Sequence, residues 1–186
     1  MTIRTNPYEV ALEAYLRDLK IPYLAIDEQR RSLYGAGSLK NVDFVVSPPE
    51  GEGSFLVDVK GRKFPSGRQN RYWKNWATTD DLDSLAHWQR LMGPRFSGLL
   101  VFAYQVAGEV SPLPTSLLYP FRGEIYGFVG IRLDLYTAWS KTISPKWKTV
   151  AVPTATFRQL AQPLAALLLG EPAALPNEPT PALQTA

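Results

Sequence analysis

Apolar residues recur at Tyr8, Ala11, Leu12, Tyr15, Leu16 and Leu19, the spacing of one face of an α-helix. Asn6 suits the N-cap and Pro7 the first helical position, so a helix is predicted over 6–19, with Pro22 marking the exit. The pattern then changes. Residues 23–28, 42–47 and 54–60 are short runs with strand character. A loop over 29–40, punctuated by Gly35 and Gly37, separates the first two, and the turn Pro48-Pro49-Glu50-Gly51-Glu52-Gly53 separates the last two. A second helix is predicted from Thr78 or Thr79 to Gly93-Pro94, with Asp80, Asp81 and Asp83 in its first turn to complement the helix dipole. Further strands are expected over 98–105, 124–133 and 147–152, further helices over 134–140 and 154–169, and loop over 108–123.

Beyond Gly170 the chain turns to proline with small and polar residues, and a disordered tail is expected over 170–186. The remainder, 1–169, reads as one domain. Helix, three strands, helix, then more strands predicts an α/β (α+β) arrangement, a mixed sheet flanked by helices.

Composition narrows the function classes. The 186 residues are 45% hydrophobic and 20% charged, enough to bury a real core. Cysteine is absent, so disulfides and thiolate metal sites are excluded, which fits a reducing cytoplasm. The N-terminal residues lack an apolar leader region, and no run approaches the roughly 20 apolar residues that cross a bilayer, so neither secretion nor membrane insertion is expected. One histidine cannot assemble a Ser-His-Asp or His-rich metal set, and no glycine-rich phosphate loop is present. The net charge is only +3, yet residues 60–74 hold Lys60, Arg62, Lys63, Arg68, Arg71 and Lys74 without one acid. Such a stretch suits a polyanion as well as it suits a solvated loop.

The chemistry lies beside that stretch. A hairpin symmetric about Glu50-Gly51 sets Phe44 opposite Val57 and Asp43 opposite Asp58, whose side chains then share one face. Lys60, two residues on, shares it too, while Phe44, Val46, Phe55, Val57 and Val59 collect on the other. Two carboxylates held together in a sheet repel, and either one protonates or a cation joins them. A hard divalent ion fits: Mg²⁺, or Mn²⁺ in its place, takes oxygen ligands and keeps waters for a phosphate to displace. Lys60 would face the charge that develops on the phosphate.

Asp43, fourteen intervening residues, then Asp58-Val59-Lys60 resembles the motif of the PD-(D/E)XK nuclease superfamily. The resemblance implies a restriction-endonuclease-like fold, an N-terminal helix packed on a mixed sheet, and an acidic residue supplied by that helix, a place that Glu9 matches. The order of helix acid, strand Asp and strand acid-x-Lys is similar to that of archaeal Holliday junction resolvases. Pro7-Tyr8-Glu9-Val10-Ala11-Leu12-Glu13, with Asp58-Val59-Lys60-Gly61-Arg62, also resembles an uncharacterised bacterial family with a His-Tyr-Glu-x-Ala-Phe-Glu start. Here Pro7 and Leu12 replace that His and Phe, and Val42 stands where the superfamily often has proline before its first Asp.

The expectation is therefore a Mg²⁺-dependent nuclease on DNA, with RNA not excluded and a homodimer compatible with the reading. The alternative is a nuclease-like module that binds nucleic acid without cutting it. Asp43, Asp58 and Glu9 are the metal candidates and Lys60 the catalytic lysine. Glu9 has a second role open to it at N3 behind the Asn6 cap. Lys40, Arg62, Lys63, Arg68 and Arg71 are candidate phosphate contacts, and Tyr72, Trp73 and Trp76 candidate stacking groups. Gln89, on the apolar face of the second helix, is either a supporting contact to the site or a satisfied core amide.

Overall fold

The first helix, α1 (Pro7–Asp18), begins as its cap residues dictate. The Asn6 side chain accepts from Tyr8 N and donates to the Glu9 carboxylate. Its apolar stripe buries Ala11, Leu12 and Leu16. Burying a leucine stabilises by about 1.5–3 kcal/mol, more than the roughly 1 kcal/mol of a good N-cap, so packing rather than capping decides that the helix forms.

The computed structural model describes residues 5–26, 32–34, 37–49, 51–66, 73–171, 173–176 and 180–182. Its main sheet takes β1 (Tyr23–Ala25), β2 (Phe44–Val46), β3 (Ser54–Phe64), β4 (Phe96–Val106), β5 (Leu118–Phe121), β6 (Glu124–Arg132) and β7 (Gln162–Pro163). The order is β1-β2-β3-β4-β6-β7, with β5 also paired to β6. Every pairing is antiparallel except β3 with β4, which run parallel over their full lengths from Ser54↔Phe96 to Phe64↔Val106. That crossover is made by α2 (Thr79–Met92), as parallel neighbours require.

Side-chain alternation along β3 divides the interior in two. Val57 and Val59 join Phe44, Val46, Leu99 and Val101 under α1 and the C-terminal helix α5 (Leu164–Leu169). Leu56 and Phe64 join Leu82, Leu85, Leu100 and Phe102 under α2, α3 (Leu133–Trp139) and α4 (Thr154–Leu160). The result is a mixed sheet flanked by helices on both faces, the arrangement expected. No helix among the described residues is long and apolar enough to cross a membrane.

Several expectations shift. The third strand does not end at Lys60 but runs to Phe64. Gly61 reads as a strand breaker, yet a Cβ there would sit 2.1 Å from the Tyr8 ring, so it marks where α1 rests on the sheet. The predicted helix 154–169 is two helices, because Pro163 cannot continue one and pairs instead with Val129. The loop 29–40 holds a ribbon, Ser32–Tyr34 against Gly37–Leu39. The loop 108–123 contains β5, joined to β6 through Arg122 and Gly123, both at positive φ as a two-residue hairpin of this hand demands. The supposed disordered tail packs in its described parts: Leu175 is buried, Pro176 O accepts from Arg158, and Thr180–Pro181 pairs with Val110–Ser111. Proline-rich composition is also what an ordered strap on a protein surface can carry.

Gly61→Ala is expected to destabilise the fold by about 1–3 kcal/mol, the usual cost of forcing an extra methyl into a packed contact. Urea denaturation measures it; an unchanged midpoint would show that α1 does not rest on β3 at this point.

Candidate functional site

The hairpin register agrees with expectation as far as Phe44↔Val57, Val45↔Leu56 and Val46↔Phe55. It departs at Asp43. There the backbone N–H donates to Val57 O at 2.8 Å, and the carboxylate accepts from Val59 N–H at 2.6 Å. The side chain has taken the place of the next ladder carbonyl. Asp43 is therefore buried at the end of β2, against the backbone of β3, rather than pleated directly opposite Asp58.

Asp58 and Lys60 point to the α2 side of the sheet, as their spacing requires. Lys60 Nζ lies 2.8 Å from Asp58 Oδ2, with the two side chains 14% and 15% exposed. Asp58 Oδ2 is itself buried and takes no well-directed hydrogen bond. Burial raises the Asp58 pKa, Lys60 opposes that, and the net shift is upward. Burial disfavours the Lys60 charge, but Asp58 and Asp81 outweigh it and raise its pKa, so the ammonium persists at neutral pH.

Asp81 was not singled out by the sequence, where it reads as one of three acids in a helical first turn. It is the hub of the site. Its carboxylate lies 3.1 Å from Lys60 Nζ and 2.7 Å from Lys40 Nζ. It also closes a capping box, accepting from Thr78 N–H at 2.8 Å while its own N–H donates to Thr78 Oγ1. Burial would raise its pKa, but Lys60, Lys40 and the Thr78 contacts hold it well below the usual carboxylate range. The signal in the sequence was the spacing Thr78-x-x-Asp81.

Lys40 is fastened to α2 rather than to open solvent. Its backbone N–H donates to Ser84 Oγ, its carbonyl accepts from Trp88 Nε1 at 2.8 Å, and its ammonium also approaches Asp80 at 3.4 Å. Arg62, two residues past Lys60, donates to Gly61 O at 2.7 Å and to Trp76 O, with its guanidinium 4.0 Å above the Trp76 ring. Burial lowers its pKa. Lys63 is exposed on β3. Gln89 is half-buried and its Oε1 accepts from Gly98 N–H at 2.7 Å, tying α2 to β4. Trp73, a candidate for stacking, is core instead, packed on Phe64, Tyr104 and Phe157. Trp76 is the surface ring, 37% exposed. Arg68, Arg71 and Tyr72 lie outside the described residues.

Glu9 sits under α1, on the opposite layer from α2, buried and bonded to Asn6. Tyr8 and Tyr15 lean from α1 towards β5 and β6, contacting Tyr126, Tyr119 and Phe128. Glu13 leans the other way and accepts from the Tyr23 hydroxyl of β1 at 3.0 Å. Glu9, one turn before Glu13, belongs to this second flank. Among the described residues, no three acidic or imidazole side chains are gathered around one point for a metal ion. Mg²⁺ does not require three, since it is commonly held by one or two carboxylates together with waters and substrate phosphates. The carboxylate oxygens of Asp43 and Asp58 are donors of the kind such an ion takes.

Asp81→Asn is expected to cost about 3 kcal/mol, because it leaves two ammoniums, one of them mostly buried, without their shared anion while preserving the cap's shape. The pH dependence has a definite sign. The folded-state pKa of Asp81 lies below its unfolded value, so its contribution is complete above the unfolded carboxylate value of about 3.9 and disappears as pH falls through the folded one. Asp58, with a raised pKa, acts in the opposite sense. Denaturation of wild type and Asp81→Asn should therefore differ most near neutral pH and converge in strong acid; a gap independent of pH would contradict the assignment.

No protein-family model matches this chain, and no curated protein sequence matches it. Its structure is similar to the 1.6 Å structure of Hjc, a Holliday junction resolvase from the archaeal hyperthermophile Archaeoglobus fulgidus, with a TM-score of 0.50 over 87% of this chain and 97% of that one, at 12% identity. At that identity the likeness is one of fold: the chain has the restriction-endonuclease-like architecture, a curled mixed sheet flanked by helices.

Proposed function

We propose that this protein is a Mg²⁺-dependent nuclease that hydrolyses phosphodiester bonds in DNA, with Asp43, Asp58 and Lys60 at the reacting centre. The observation that carries this reading is the buried Asp58–Lys60 pair on the central strand of a resolvase-like fold, one strand from the end of β2 where Asp43 is held. A carboxylate and an ammonium rarely sit this deep in a sheet without a use, because each loses hydration there and a pair of apolar residues would serve stability as well.

Asp43 and Asp58 would hold the ion; Glu9, expected from the sequence as a third ligand, lies on the α1 side of the sheet, bonded to Asn6, and is left out of the proposed metal shell. When bound, the metal would polarise a phosphate oxygen and acidify the attacking water. Asp43 is held in place for this by the Val59 N–H, which fixes one of its oxygens against the backbone of β3. Lys60 works as a cation: its raised pKa keeps it protonated, so it stabilises charge on the phosphate or orients the water as a donor, and does not remove a proton. Asp81 holds Lys60 in place from α2, while Lys40 pairs with the same carboxylate. The second reading, a nuclease-like module that binds without cutting, draws support from one feature: Lys60 is already engaged by two aspartates, Asp58 and Asp81.

The two readings separate in a cleavage assay. Wild-type protein is incubated with a four-way junction, a duplex and a single strand, with Mg²⁺, with Mn²⁺ and with EDTA. The nuclease reading predicts metal-dependent cleavage that Asp58→Asn abolishes and that Lys60→Ala slows on the order of 10²–10³-fold, the scale of losing one preorganised donor to the transition state. Full cleavage by Asp58→Asn would remove this site from the chemistry. DNA binding with no turnover in any metal would favour the second reading.

A further inference from the structure

Beside the candidate site stands a feature that the chemistry of the site does not use. Lys141–Ser144 and Thr149–Ala151 form a hairpin immediately after α3, and it carries large apolar side chains in solvent. Trp147 is 69% exposed, Ile143 55%, and Trp139, the last residue of α3, 53%. A small protein seldom leaves two tryptophans out of its core without a ligand for them. Between Ser140 and Ala151 the only charged residues are Lys141, Lys146 and Lys148, all exposed cations.

The turn is built to display Trp147. Lys148 N–H donates to Pro145 O at 3.2 Å, Trp147 N–H donates to Ser144 Oγ, and a register shift between Thr142 and Ser144 bends the ribbon. Lys148 holds φ at 48°, a left-handed conformation that a lysine adopts only when its surroundings impose it. Lys146 lies 5.3 Å over the Trp147 ring. The hairpin is also fastened to the candidate site. Thr149 and Val150 pair with Thr78 and Ala77, and Lys148 O accepts from Thr79 N–H at 2.9 Å, at the N-terminus of the helix that bears Asp81. Trp76, with Arg62 stacked on it, immediately precedes that junction.

We infer that this hairpin is a binding platform for single-stranded DNA, in which Trp147 and Trp139 stack on unpaired bases and Lys141, Lys146 and Lys148 follow the phosphates. Aromatic faces accept any base, and lysines interleaved with them attract the backbone, the combination used for single strands without sequence preference. A duplex hides its bases from such rings. A purely apolar protein partner would have no use for three lysines on so short a ribbon. The inference rests on the nuclease reading for its choice of ligand, and it specifies the substrate class: DNA with an unpaired segment, delivered towards Lys60 and Asp58.

The test is fluorescence anisotropy of labelled dT20 and of a 20-base-pair duplex with the full chain in EDTA, where nothing is cut. Wild type should bind dT20 more tightly than the duplex and lose tryptophan fluorescence on binding. Trp147→Ala should weaken dT20 binding about tenfold, and the Trp139→Ala/Trp147→Ala pair further, at the scale of one to two stacked bases. Lys146→Ala and Lys148→Ala should each lower the salt slope by about 0.7. Because these side chains are exposed, the variants should keep the wild-type circular dichroism spectrum and melting temperature. Absence of dT20 binding by wild type, a preference for duplex, or unchanged affinity in the tryptophan pair would each overturn the platform. The two proposals fail separately: binding that depends on Trp147 without cleavage in any metal leaves the platform and removes the nuclease, and cleavage unaffected by the tryptophan pair does the reverse.

Discussion

The constraint on which this structure turns is the placing of a carboxylate and an ammonium, Asp58 and Lys60, on the α2 face of a strand whose other face sends Val57 and Val59 into the core under α1. Neither charge could be left there alone. Lys60 keeps its proton because Asp58 and Asp81 flank it, and Asp81 keeps its charge because Lys60, Lys40 and the Thr78 cap surround it. Asp58 is the member least well served, with one buried oxygen short of a hydrogen bond and a pKa driven upward by burial.

The scaffold supplies the rigidity. The eleven-residue parallel pairing of β3 with β4 fixes the height of Asp58 and Lys60 in the sheet. The α2 crossover that this pairing demands brings Asp81 over them, and its capping box sets where the helix begins. On the other layer, Gly61 lets Tyr8 of α1 settle onto the same strand two residues past Asp58-Val59. The exposed tryptophan hairpin is bonded to the N-terminus of the same helix, so that it and the charged cluster are joined through Thr78 and Thr79.

Much of this was legible in the sequence, and the rest was missed for identifiable reasons. Period-3.6 and period-2 patterns located α1, α2 and the strands that carry the site, and the symmetric turn gave the register Phe44↔Val57. The pairing of Asp43 with Asp58 did not follow, because an aspartate at a strand end can satisfy a backbone N–H with its own side chain, and here it does so at Val59. Asp81 could not be read as the shared partner of Lys60 and Lys40, since 21 and 41 residues separate it from them and only tertiary packing closes those distances. Trp73 and Trp76 were both candidates for stacking, and Trp73 went to the core instead: both are aromatic in a basic stretch, and which one the core takes depends on where Phe64 and Tyr104 sit. The strand expected over 54–60 runs on through Gly61, where the missing side chain admits the Tyr8 ring of α1, a contact that local pattern does not show.

The central claim is that Asp43 and Asp58 converge on one divalent cation, and a crystal grown or soaked with Mn²⁺ and measured at the manganese absorption edge tests it most directly. The account predicts an anomalous peak within about 2.0–2.3 Å of an oxygen from each aspartate, near the distances of oxygen ligands to small hard cations, and its loss in Asp58→Asn crystals. An anomalous map with no peak at these aspartates, in crystals where Lys60 still lies against Asp58, would contradict it.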